Sequence, residues 1–452
     1  MKKKVLLPFM LLGLLVILSL VLSGCAQINL IAEELGLPTI LPEQTLVPGT
    51  DTAATQDGTA EEETLPDETP TPIPPQVLTL WVPPEFDPDG GTEAGRLLGL
   101  RLDEFSAQNP DVEAVQVRVK AAAGTSSLLA SLTAASSAAP GALPSLIALP
   151  RADLETAALK GLIYPMQELA TPIDDVDWYP YAREMALIQD SVYGLPFAGN
   201  ALMLAYRPTY IEEVPDNWTG IVESGKPMLF PAADPQAALT LALYQSAEGS
   251  ITDSQNRPAL DPEVLTDVLS IYQEGSLSGV FPVWLSEYQT DSQAWEGYTE
   301  RRADWMVTWS ARYFSEMRTD TSGVMLPSLG EEPYTAASGW SWALADPDPY
   351  RQALSQALAE YLVESSFLTE FAEPSGYLPT RPTALAGWSD QGTRALISQI
   401  VLSARLRPAN DLLTSLGPVL QESTLQVIQY KAVPDLQAQA ASERLLIPDV
   451  NN

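Results

Sequence analysis

Between residues 77 and 149 the apolar pattern of this 452-residue chain keeps switching between strand and helix period, and that alternation restricts the fold more than any other feature. Val77-Leu78-Thr79-Leu80-Trp81-Val82 reads as a strand closed by Pro83-Pro84. Leu98, Leu102 and Phe105 then recur at helical spacing until Asn109-Pro110 stops the helix. Val115, Val117 and Val119 alternate with polar residues as a second strand. Ser127 to Ala138 reads as a helix of small residues, and Leu146-Ile147-Ala148-Leu149 as a buried strand. A β-α-β-α-β order predicts a parallel sheet with right-handed crossovers. Further helices follow: Leu265, Val268, Leu269 and Tyr272 form a stripe after Asp261-Pro262, and Leu354, Ala357, Leu358, Tyr361 and Leu362 another after Asp348-Pro349. Single cores stop growing near ~250–300 residues, so two lobes are expected.

Composition removes whole classes of chemistry. The chain has no histidine, so it can build no Ser–His–Asp or Cys–His relay and no imidazole metal site. With a single cysteine there is no intrachain disulfide and no thiolate cluster. Lys and Arg number 24 against 58 Asp and Glu, and the net charge of −34 repels phosphate backbones, so nucleic acid is not an expected partner. No cofactor and no metal are expected. Carboxylate chemistry remains, or reversible binding.

The cysteine has a telling place. Lys2, Lys3 and Lys4 precede an apolar run from Val5 to Leu22, followed by Leu22-Ser23-Gly24-Cys25. A basic start, an apolar stretch and small residues at its end read as an export signal. Small residues directly before the sole cysteine resemble a bacterial lipoprotein signal. That resemblance implies removal of residues 1–24, lipid on Cys25 and a location outside the cell membrane. The alternative is an uncleaved anchor helix. Residues 25–76 are rich in Pro, Thr, Asp and Glu, and no Lys or Arg occurs between Lys4 and Arg96; such a stretch reads as a disordered tether.

Several motifs fail on inspection. Gly220-Ile221-Val222-Glu223-Ser224-Gly225-Lys226-Pro227 spells a phosphate loop until Pro227 replaces the hydroxyl that would ligate magnesium. Gly339-Trp340-Ser341-Trp342-Ala343 is one residue short of a nucleophile elbow and has no histidine to serve it. Asp87-Pro88-Asp89 with Glu93 lacks the alternating ligands of a calcium loop and reads as an acidic lip.

The order of landmarks resembles the family 1 extracellular solute-binding proteins of ABC importers, many of which bind sugars. The pieces are LTLWV at 78–82, EFSAQNPDVEAVQV at 104–117, ALPSLIALP with ALKGLIYPMQEL, and VYGLPFAGNALMLAYRPTYI. ADWMVTWSARYF, VMLPSL, SGWSWALADPDPYRQALSQALAEYLVES and GYLPTRPTAL complete the series. Ser145 stands where the family usually has Asp, and Arg301-Arg302-Ala303-Asp304-Trp305-Met306 replaces a Gly-Lys-Ala-Ala-Met run. The resemblance implies a two-lobe, periplasmic-binding-protein-like α/β fold with a hinge. The implied lobes are 77–196 with 323–378 and 197–322 with 379–442, with a tail at 443–452. Crossings are placed near 193–199, 323–327 and 376–379, where Gly or Pro can absorb dihedral change.

Aromatic residues carry the site expectation. Trp81 ends the first strand, where doubly wound sheets bind ligands, and Trp340 and Trp342 sit two apart, on one face of a strand. Indole faces stack on the C–H faces of sugars. Trp309 matches the family's ligand-stacking Trp in position; Tyr377 and Glu85 are further candidates. For each Trp the competing expectation is a core position. The sequence reading is thus a monomeric, lipid-anchored binding protein that hands a small solute, with carbohydrate favoured, to an ABC permease. A hydrolase using a carboxylate pair and a non-transport receptor or scaffold of the same fold are the alternatives.

Overall fold

The computed structural model describes residues 74–446. The export signal, Cys25 and the expected tether up to residue 73 lie outside the described residues, as do the last six positions of the tail. Among the described residues no helix is long and apolar enough to cross a membrane.

The alternating segment folds as read. Strands β1 (Gln76–Val82), β2 (Val112–Val119) and β3 (Leu146–Pro150) are separated by helices Glu93–Gln108 and Leu128–Ala138. β1 pairs in parallel with both β2 and β3. Each helix starts where a hydroxyl can satisfy orphan amides: Thr92 Oγ1 accepts from Gly95 N at 3.0 Å, and Ser127 Oγ from Ala130 N at 3.2 Å. Leu98, Leu102 and Phe105 press the first helix onto the sheet and are buried, each contributing about 1.5–3 kcal/mol.

The short strands β4 (Leu187–Ile188) and β5 (Ser191–Val192) form a separate hairpin, followed by the long β6 (Leu195–Tyr206), then β7 (Met228–Leu229) and β8 (Trp305–Trp309). β9 (Ser322–Met325), β10 (Thr335–Leu344) and β11 (Ala404–Leu406) complete the set. The main sheet has the order β2-β1-β3-β10-β6-β8-β7, with β11 on β10 and β9 on β6. β10 runs antiparallel to β3 and β6, so the sheet is mixed and only its first three strands are the predicted parallel set. In the second half, Asp261 caps helix Pro262–Ser278, whose Leu265, Val268, Leu269 and Tyr272 are fully buried, as their spacing predicts.

Two hydrophobic cores flank this sheet. The first gathers residues from β1 to Met203, then Ala337 to Ala404; the second runs from Leu202 to Val307 and takes in Leu326, Ala336 and Leu413 to Ala441. The changeovers fall inside β6 near 201–204, inside β10 at 336–337, and between 404 and 413. The sequence reading assigned 379–442 to the second lobe, whereas Ala384, Leu385, Trp388, Ile397, Ile400 and Val401 pack in the first core. It also assigned 323–336 to the first lobe, where Leu326 and Ala336 join the second core. The glycines taken as hinges have local duties: Gly376, at φ 74°, ends helix Ser365–Ser375, and Gly323 lies within β9. At the first two changeovers the long strands β6 and β10 carry the chain from one core to the other with no Gly or Pro at the crossing residues, whereas the third, between 404 and 413, contains Pro408.

Candidate functional site

The end of β1 turns at Pro84–Phe86, and this turn sets Glu85 beside Tyr377. Trp340 Nε1 donates to the Tyr377 hydroxyl at 3.1 Å, and that hydroxyl donates to Glu85 Oε1 at 3.4 Å. Phe86 braces the group, meeting Trp340 edge-on at 5.7 Å and Tyr377 at 5.5 Å. Burial raises the Glu85 carboxyl above its ordinary value, against the hydrogen bonds that favour its charge. Burial likewise pushes the Tyr377 phenol well up, and the Glu85 carboxylate adds to it. Three of the sequence candidates therefore form one polar chain on the wall of the first core.

The other tryptophans of that wall are packing residues. Trp342 is 1% exposed and stacks on Phe197 with ring centroids 4.1 Å apart. Trp340, held in the polar chain, is itself only 8% exposed. Trp81 is 4% exposed within the first core, with the Lys120 ammonium 4.9 Å from its ring centre. Trp340 and Trp342 sit two apart on β10, and both belong to the first core.

Trp309 is different. It ends β8, pairs with Leu202 of β6, is only half-buried, and lines a pocket of about 220 Å³ in the second core's wall. Asp234, Gln236, Gln289, Asp291 and Arg407 share the lining. Helix Ser310–Ser315 begins right after Trp309, and Asn200 fixes its start: its Oδ1 accepts from Ser310 Oγ at 3.1 Å and Ala311 N at 3.0 Å. On this helix Arg312 donates to Asp291 Oδ2 at 3.1 Å, Glu316 Oε1 at 2.7 Å and Ser292 Oγ at 2.6 Å. Burial opposes the Arg312 charge, but the Glu316 and Asp291 bonds outweigh it and raise its pKa. The same helix passes close to Gly376, whose added Cβ would lie 3.1 Å from Ser315 N, so Tyr377 and Trp309 flank one short helix. Sequence reading missed Asn200, Asp291, Arg312 and Arg407, because no local motif marks residues brought together by strand pairing.

The discarded motifs stay outside this site. Residues 220–227 run from helix Trp218–Glu223 into β7, the reverse of a strand–loop–helix phosphate cradle. Ser341 is buried in β10. Asp87 Oδ1 accepts from Asp89 N at 3.0 Å in a local turn. Ser145, the departure from the family pattern, accepts from Thr79 N at 3.1 Å and ties β3 to β1, a structural task.

A mixed α/β fold with two cores and polar–aromatic walls on each defines a two-lobe binding protein. Residues 101–395 match the family model described as bacterial extracellular solute-binding protein. The chain belongs to that family, whose members are extracytoplasmic binding proteins rather than enzymes. No curated protein matches it. Solved structures with the same fold include the sugar-binding protein MalE from Xanthomonas citri, at 16% identity and TM-score 0.66, covering 82% of this chain and 96% of that one. MalE from Listeria monocytogenes in complex with maltose matches at 14% identity and TM-score 0.66, with the same coverages of 82% and 96%. The GacH receptor of Streptomyces glaucescens, solved unliganded and with acarbose, matches at 17% identity and TM-score 0.62, covering 82% of this chain and 98% of that one.

Proposed function

We propose that this protein captures a carbohydrate between its lobes and delivers it to an ABC import permease, without turning it over. The observation that carries the reading is Trp309: a partly exposed tryptophan at a strand end, in a small pocket with Gln, Asp and Arg side chains around it. An indole face suits the apolar C–H face of a sugar ring, and the rim groups suit its hydroxyls. The sugar complexes among proteins of the same fold add support. The Trp340–Tyr377–Glu85 chain supplies a second, acceptor-bearing wall, and closure of the lobes would bring a ligand against it.

The anchor belongs to the same proposal. Lipid on Cys25 would hold the protein outside the membrane within reach of its permease. Metabolic labelling with a fatty-acid analogue should label the native chain and leave Cys25→Ala unlabelled; persistent label in the variant overturns the anchor. Titration of tryptophan fluorescence with a panel of mono- and oligosaccharides tests capture, and unchanged sugar recovered after incubation tests the absence of turnover. A panel without a single saturable response overturns the carbohydrate reading.

A further inference from the structure

Arg407 is partly buried and, like Arg183, Arg394 and Arg405, has no carboxylate partner among the described residues; of these four it is the one that lines the pocket beside Trp309. Its backbone is fixed just past β11, where Arg407 N donates to Ala337 O at 2.9 Å, and its side chain enters the pocket beside Trp309. The guanidinium carbon lies 5.7 Å from the Trp309 ring centre. Nη2 donates to Gln236 Oε1 at 2.5 Å, while Nε is buried with no acceptor among the described residues. No carboxylate oxygen of the described residues comes within 4.0 Å of its nitrogens. By contrast Arg207 is paired with Asp320 at 2.5 Å, Arg151 with Glu155 at 3.1 Å and Arg381 with Asp177 at 3.4 Å.

The pocket's own acids are held by other donors, and neither is ion-paired with Arg407, although Asp234 acts on it through its field. Asp234 Oδ1 accepts from Gln236 N at 3.0 Å and its Oδ2 from Ala238 N at 3.1 Å. Asp291 Oδ1 accepts from Thr308 Oγ1 at 2.7 Å, and Oδ2 from Arg312. Covering a cation without pairing it is costly, and removal from water already pulls the Arg407 guanidinium below its ordinary pKa despite the field of Asp234. An oxyanion on the ligand would offset that cost with charge-assisted bonds, for which a planar guanidinium is well shaped.

We propose that the pocket takes a saccharide bearing an anionic oxygen group, stacked on Trp309 and paired with Arg407. This rests on the carbohydrate reading and narrows it to acidic sugars. The chain's net charge of −34 opposes an anion at long range, but salt screens that field beyond ~8–10 Å while the contact at Arg407 stays short.

Calorimetric titration of the intact protein with matched probes tests this. The pairs are glucose and glucuronate, galactose and galacturonate, and their disaccharides, with glucose 6-phosphate and glucose 6-sulfate separating carboxylate from other oxyanions. At least one anionic member should bind about 10- to 100-fold more tightly than its neutral partner. That preference, read as the affinity ratio within each pair, should vanish in Arg407→Met and survive in part in Arg407→Lys, with the anionic member losing more than its neutral partner. A structural role for Arg407 would weaken both members alike, so equal loss overturns the proposal. So does a wild-type protein that prefers the neutral member, a result that needs no variant and leaves the carbohydrate reading intact. If no sugar binds but glucuronate-sized plain carboxylates such as citrate do, in an Arg407-dependent way, the carbohydrate reading falls and the anion pairing stands. If none of these probes binds, both fall.

Discussion

The two walls of the candidate site use the same residue types to opposite ends. On the first, Trp340 gives its N–H to Tyr377, Tyr377 gives its O–H to Glu85, and Trp342 is sealed against Phe197. On the second, Trp309 is left partly exposed beside Arg407, which donates to Gln236 and has no ion-pair partner among the described residues. The first wall is closed upon itself and preorganised; the second has unspent hydrogen-bonding and stacking capacity. A tryptophan near a strand end is therefore no site marker by itself. What separates a platform from a brick is whether neighbouring elements cover the ring.

That contrast can be broken most forcefully at Trp342. Trp342→Ala should cost about 3–5 kcal/mol of stability through loss of a fully buried stacked ring, read as a shifted denaturant midpoint. Near-native stability would erase the distinction between the walls. Trp309→Ala should act the other way, weakening ligand binding by about 2–4 kcal/mol with a smaller effect on unfolding. If it melts the protein and leaves the remaining folded fraction with native affinity, Trp309 is core. Tyr377→Phe deletes the hydroxyl that receives from Trp340 and donates to Glu85, and should cost about 1–3 kcal/mol of stability; a neutral outcome would show that the polar chain of the first wall is loosely held.

The smallest effect concerns pH. Glu85 keeps its proton more firmly folded than unfolded, since burial raises its carboxyl from 4.5. The native state thus binds more protons between the ordinary and the raised value, and stability contributed by protonated Glu85 is present at the acid end of that window. It is lost as pH climbs through the raised value. Glu85→Gln should flatten this slope in denaturation curves taken across the window, while the amide oxygen still accepts from Tyr377. An unchanged slope would mean Glu85 sits in water and the first wall is more open than its burial indicates.

Sequence alone determined the local elements and the fold class. Strand and helix periods around Leu80, Phe105 and Leu146 report which side of each element is covered, and hydrophobic burial acts on each element separately. The order of landmarks gave the family, and Trp309 could be singled out by its position in that order. Tertiary structure decided the rest. Which lobe holds residues 384–401 depends on what packs against them, since an amphipathic helix names no partner. Glycines at 323 and 376 looked like hinges because their freedom is visible in sequence, whereas their use in a strand and a helix cap is not. Trp81 and Trp342 could not be told from Trp309 by composition; coverage by Phe197 and the first core did that. Arg407 and Trp309 stand 98 positions apart and meet only because β11 joins β10, β10 joins β6 and β6 joins β8, a chain of strand pairings that no local pattern encodes.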